Sequence, residues 1–167
     1  MEYTVALDRN ILNRYIASAT LCNRRAPKKS SEVKMLIDTG AFNTMIDSAI
    51  IADFGILLPL KIPIAIGGAA GETQACMLHR IEMGNFVMEN VFAMAYPFKD
   101  WLSGHIILGL NVMNNWDFCI SRADHELRFT ERISEHLPNK TNLYQNYFRG
   151  SQYVATQIKE GLNDCFE

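Results

Sequence analysis

The sequence has 167 residues, 49% hydrophobic and 20% charged, a balance that suits one globular domain around one core and excludes disorder. Its 16 Lys and Arg stand against 18 Asp and Glu, a formal charge of -2, so there is no basic footprint for nucleic acid. No apolar run reaches the roughly 18–20 residues needed to cross a bilayer as a helix, and the opening MEYTVALDRN carries charges where a secretory leader needs an apolar stretch. A soluble, cytoplasmic protein with no membrane or nucleic-acid partner is therefore expected.

In chain order, residues 11–22 mix apolar with β-branched and aromatic residues and predict a strand, which the charged, Pro- and Ser-bearing NRRAPKKSSE interrupts. A second strand, VKMLI at 33–37, runs directly into Asp38-Thr39-Gly40, placing a carboxylate where a buried strand leaves the core, a costly position for a charge. NTMIDSAIIADFGI predicts a short helix capped by Asp47 or Ser48, with Ile50, Ile51 and Phe54 at helical spacing and Gly55 as its stop. KIPIAI and ETQACMLHRIEM read as two strands flanking Gly67-Gly68-Ala69-Ala70-Gly71, a mobile hairpin with almost no side chains at its tip.

Gly84-Asn85 predicts a turn and FVMENVFAMAY another strand, after which the polar PFKDWLSGH leads to Ile106-Ile107-Leu108-Gly109. A short helix is expected between Asn111 and Trp116, then two strands around Arg122-Ala123-Asp124-His125. Many short strands with little helix between them predict a mostly β, antiparallel or mixed barrel over 1–130. Residues 131–167 are polar with scattered aromatics and read as a C-terminal extension, helical over about 151–160.

Cys22, Cys76, Cys119 and Cys165 are far apart with no CxxC pair. That signals neither zinc nor a redox motif and favours free thiols, although an even number leaves two bridges open. His79, His105, His125 and His136 are equally dispersed, so no metal ligand set and no nucleophile-base triad is suggested. His105, just before Ile106, is placed near a groove without a role. No metal or other cofactor is predicted.

Met35-Leu36-Ile37-Asp38-Thr39-Gly40-Ala41, the Gly-rich tip at 67–71 and Ile107-Leu108-Gly109, in this order, resemble the signature of retropepsin-like (retroviral-type) aspartic proteases. The resemblance covers about residues 11–130. It implies a closed β barrel with a Gly-rich flap (Gly67, Gly68, Ala69, Ala70, Gly71), Asp38 as catalytic acid and base, and a peptide or protein substrate. It also implies loop support from Thr39, Gly40, Ala41, Leu108 and Gly109: Thr39 by hydrogen bonds across a dimer axis, Gly40 by letting its amide reach the carboxylates, Leu108 and Gly109 by packing behind the loop.

Metal-free peptide hydrolysis with no covalent nucleophile needs two close carboxylates. None of Asp47, Asp53, Asp100, Asp117 and Asp124 is followed by Thr/Ser-Gly, and the length leaves no room for a second lobe, so the resemblance implies a homodimer. Taken alone, Asp-Thr-Gly is an ordinary turn and the glycines an inert hairpin tip. The tip is no phosphate loop, because Glu72-Thr73 follows in place of Lys-Ser or Lys-Thr. The alternative function is a catalytically silent dimerisation and peptide-binding module using the same groove.

Overall fold

The computed structural model describes residues 1–131 apart from 11, 24–25, 27–28 and 67–68. The predicted tip residues Gly67 and Gly68, the extension beyond residue 131 and its helix at 151–160 therefore lie outside the described residues. Eleven strands and two short helices are described: β1 Glu2–Ala6, β2 Asp8–Arg9, β3 Tyr15–Cys22, β4 Ser30–Ile37, β5 Met45–Asp47, α1 Ile51–Phe54, β6 Gly55–Ile66, β7 Ala69–Met83, β8 Phe86–Tyr96, β9 Ile106–Leu108, α2 Leu110–Met113, β10 Asp117–Ser121 and β11 Glu126–Thr130. A single 3-10 turn spans Asp100–Leu102.

Six strands close on themselves in the order β3-β4-β9-β5-β8-β7, and the pairing of β7 back onto β3 through Leu21 and Ile81 completes the mixed barrel. β2 and β6 lie outside the ring as edges, and β1-β11-β10 form a separate small antiparallel sheet. Alternation explains β3, where Ala17, Ala19 and Leu21 are buried. It fails for β8, where Val91 to Ala95 are all buried because the strand is covered on both faces, and such strands read as continuous apolar runs. Val91, Ala93 and Ala95 join the main core, whereas Phe92 and Met94 join a second cluster with Met45, Leu58, Ile62 and Met77.

The small sheet is fastened by aromatic rings. Phe86 stacks on Phe129 with centroids 4.2 Å apart, and Trp116 meets Tyr3 and Phe86 edge to face at 5.7 and 5.2 Å, geometries that favour aromatic pairs beyond their buried area.

Two local expectations are corrected. The helix after the Asp38 turn is only Ile51–Phe54, and its N-cap is Ile50, with no side-chain cap. Asp47 instead ends β5, where it pairs with Tyr96 of β8, so sheet pairing overrides the capping preference. The second helix occupies Leu110–Met113 rather than extending to Trp116. β1, which pattern reading did not single out, pairs in full register with β11 from Glu2–Thr130 to Ala6–Glu126.

Candidate active site

β9 is slotted between β4 and β5, parallel to the first and antiparallel to the second. Ile37 and Leu108 are partners in the parallel pair, so both strands end at the same level. Asp38 follows one and Gly109 the other. The Asp38 N–H donates to the Leu108 carbonyl at 3.2 Å, and the Ala41 N–H donates to the Asp38 carbonyl at 3.2 Å, which closes the turn.

Within that turn the Gly40 N–H donates to Asp38 Oδ1 at 2.9 Å. A Cβ on Gly40 would sit 3.2 Å from the same oxygen, so the absent side chain is what lets the amide approach freely. Asp38 is half-buried and Thr39 exposed. The Thr39 hydroxyl has no hydrogen-bond partner among the described residues.

Gly109 is sterically demanded. A Cβ there would fall 2.4 and 2.5 Å from the Asn43 carbonyl carbon and oxygen and 2.7 Å from the Thr44 nitrogen, contacts that no side chain tolerates. Leu108 is wholly buried. The Leu110 N–H donates to the Ala41 carbonyl at 2.9 Å and the Asn111 N–H to the Phe42 carbonyl at 3.0 Å.

Thr44 and Asn111, neither singled out in the sequence, hold the two loops together. The buried Thr44 hydroxyl accepts from the Gly109 N–H at 3.1 Å and donates to Asn111 Oδ1 at 2.8 Å, and that oxygen also accepts from the Thr44 N–H at 2.7 Å. Asn111 Nδ2 then donates to the Phe92 carbonyl at 2.8 Å. The available signal was a polar residue beside each apolar run, a Thr before Met45-Ile46 and an Asn inside Leu-Gly-Leu-Asn-Val-Met, and buried polar groups of this kind need partners.

Above Asp38 lies an open cleft of about 650 Å3. It is lined by Asp38, Gly40 and Ala41 of the turn, by Phe42, Met45, Met94 and Ile107, by Pro63 to Ile66 on β6, and by Tyr96 at the end of β8 with Pro97 to Lys99 after it. Asp38 is the only carboxylate among the described lining residues. Phe42 is 69% exposed although its backbone is fixed.

Of the predicted tip, Ala69, Ala70 and Gly71 belong to β7 and pair with Ile66, Ala65 and Ile64, so the side chains that border the cleft come from the β6 arm. His105 lies outside the cleft lining, its Nδ1 accepting from the Lys34 N–H at 3.3 Å. Among the described residues no group of three His, Cys, Asp or Glu is placed to hold a metal ion, and Cys22, Cys76 and Cys119 are free thiols. Burial pushes the Cys76 thiol up to about 12. Cys22 is also raised, first by burial and then by the nearby Glu82.

A closed mixed barrel with β9 threaded between β4 and β5 is the fold of the retropepsin-like aspartic proteases. The solved structure of a retropepsin-like aspartic protease from Rickettsia conorii matches with a TM-score of 0.50 over 78% of this chain and 91% of that one. The two share 14% sequence identity, so the likeness is one of fold. The sequence model of the family described as "Aspartyl protease" matches residues 27–112, which takes in Asp38, the hairpin and Gly109. The chain belongs to that family. No curated protein matches the sequence. No helix among the described residues is long and apolar enough to cross a membrane.

Proposed function

We propose that the protein is an aspartic endopeptidase that works as a homodimer, with Asp38 from each chain forming the catalytic pair. One observation carries this reading: the cleft has one carboxylate and no second among the described lining residues, while the chemistry needs two. A two-fold axis beside the Asp38 loop supplies the other from an identical chain. The exposed Thr39, whose hydroxyl is unpartnered within the described chain, is suited to hydrogen-bond the partner's loop, and Gly40 keeps the approach open.

With one proton shared by the pair, the ionised carboxylate takes a proton from water as it attacks the peptide carbonyl, and the protonated one donates to the carbonyl oxygen. The tetrahedral intermediate collapses when a proton passes to the amide nitrogen, which leaves as an amine. No cofactor enters any step. The β6–β7 hairpin acts as the flap, bringing Ile64 and Ile66 over the substrate and limiting water. Leu108 and Gly109 hold the loop from behind. Free thiols suit a reducing compartment, in keeping with the cytoplasm.

Dilution tests the shared site. Activity per chain should fall as the dimer dissociates, in step with the change in sedimentation. Adding a tenfold excess of Asp38→Asn chains should suppress wild-type hydrolysis through inactive mixed dimers. An active monomer, or hydrolysis persisting in pure Asp38→Asn, overturns the proposal. Peptide binding by wild type without any cleavage would favour the silent binding module. Because only the singly protonated pair is competent, kcat/KM should follow a bell in pH. Ala41→Ser, which adds a donor beside the pair, should move that bell toward acid.

A further inference from the structure

Among the described side chains that line the cleft, Asp38 and Lys99 are the only charged ones. Lys99 stands on a braced segment. Pro97 fixes its own φ, the Phe98 ring lies 5.8 Å from that of Tyr96 and packs against the second core cluster, and the Lys99 carbonyl accepts from the Leu102 N–H at 3.3 Å. The Ser103 N–H donates to the Asp100 carbonyl at 3.1 Å.

The segment is then anchored by Asp47. This carboxylate is only 2% exposed and accepts from the Gly104 N–H at 2.5 Å and from Ser103 Oγ at 3.4 Å. Lys29, Arg80 and Arg128 all face carboxylates. The Lys99 side chain, by contrast, makes no hydrogen bond or ion pair with a described residue. Its neighbour Asp100 is exposed and outside the cleft lining.

Lys99 is exposed, and an unpaired cation on a groove otherwise lined by Ile64, Met94, Phe98, Leu102 and Ile107 attracts a carboxylate brought into that groove. It also repels a cationic side chain at the same place. Building on the endopeptidase reading, we propose that Lys99 is a specificity-determining residue that selects substrates with an Asp or Glu side chain at one position flanking the scissile bond. Apolar side chains fill the remainder of the cleft.

The test uses pooled decapeptides with apolar residues at the two central positions and Glu, Gln or Lys fixed in turn at each flanking position. Wild type should favour the Glu pool over the Gln pool about three- to tenfold in kcat/KM at one flanking position, and added salt should shrink that preference. Lys99→Gln should abolish the preference, and Lys99→Glu should turn it toward the Lys pool. Equal cleavage of Glu and Gln pools by wild type, or an unchanged preference in Lys99→Gln, overturns the proposal. Titrating the same pools onto Asp38→Asn and onto Asp38→Asn with Lys99→Gln reads selectivity without hydrolysis. If wild type cleaves nothing yet Asp38→Asn prefers the Glu pool only when Lys99 is present, the endopeptidase reading fails and the selector role stands. Equal binding of both pools defeats the selector role.

Discussion

The Asp38 loop and the distal half of the β6–β7 hairpin line one cleft, yet they are built in opposite ways. The loop is tied to β9 and α2 by the Asp38, Leu110 and Asn111 amides and by the Thr44–Asn111 network, and its close fit to Gly109 leaves no room for a methyl group. The hairpin follows another rule. β8 accompanies β7 only from Gln74 to Met83, so Ala69 to Thr73 pair with β6 alone, and Thr73 ties the ribbon to the barrel through a buried hydrogen bond to the Ala95 carbonyl. Beyond that tie, Ala65, Ile66, Ala70 and Gly71 are exposed. The fold concentrates contacts at the Asp38 loop and leaves few at the distal ribbon, the distribution that the proposed roles of held carboxylate and moving cover call for.

The sharpest way to break this contrast is a methyl group at Gly109. Gly109→Ala forces Asn43 and Thr44 to shift and should cost about 3 kcal/mol of stability, read from urea unfolding, together with most of the hydrolytic activity. A smaller loss is expected from Thr44→Val. It keeps the side-chain shape but leaves the Gly109 N–H without its acceptor, for about 1–2 kcal/mol. If Thr44→Val were neutral, the network would not be what holds the loop.

Within β7 itself, Cys76 belongs to the barrel half. Its folded thiol is raised from 9.0 to about 12 by burial, so the folded chain keeps a proton that the unfolded chain releases. That contribution is complete below pH 9 and is lost progressively as pH rises toward 12, by about 1 kcal/mol at pH 10. Urea midpoints at pH 8, 9 and 10 should therefore fall more steeply for wild type than for Cys76→Ala. Equal slopes would show that the thiol is not shielded from water.

The smallest stability effect belongs to the ribbon half. Gly71 has no left-handed backbone, and a Cβ there meets nothing within 4 Å, so Gly71→Val should change stability by no more than about 0.5 kcal/mol. Its branched side chain stiffens the ribbon, and kcat/KM should fall severalfold. A large stability loss, or unchanged kinetics, would place this hairpin outside the moving parts. The expected reason for sensitivity is thus stiffness in a strand, since Gly71 has no positive φ.

The legible parts of the site were those whose chemistry is local. A carboxylate ending an apolar strand, Thr and Gly after it, and a glycine ending a later apolar run announce a turn at the edge of the core and a close backbone approach from the sequence alone. The hairpin was legible for the same reason, although Ala69 to Gly71 prove to be strand and the arm that borders the cleft is the β6 one. Thr44, Asn111, Asp47 and Lys99 carried no such mark. Each matters through a partner distant in the chain: Asn111 for Thr44, Gly104 for Asp47, and for Lys99 a cleft assembled from four separate stretches.

Local sequence determined the strand-rich composition, the Asp-Thr-Gly turn and the order of turn, hairpin and Leu-Gly segment, because backbone preference, side-chain period and turn chemistry act over a few residues. Tertiary structure alone decided that β9 lies between β4 and β5, that β1 pairs with β11, that Asp47 closes a strand rather than caps a helix, and that Lys99 lines the same cleft as Asp38. Those outcomes depend on which distant segments exclude water from one another and satisfy one another's hydrogen bonds, a competition among long-range pairings that no short window of sequence contains.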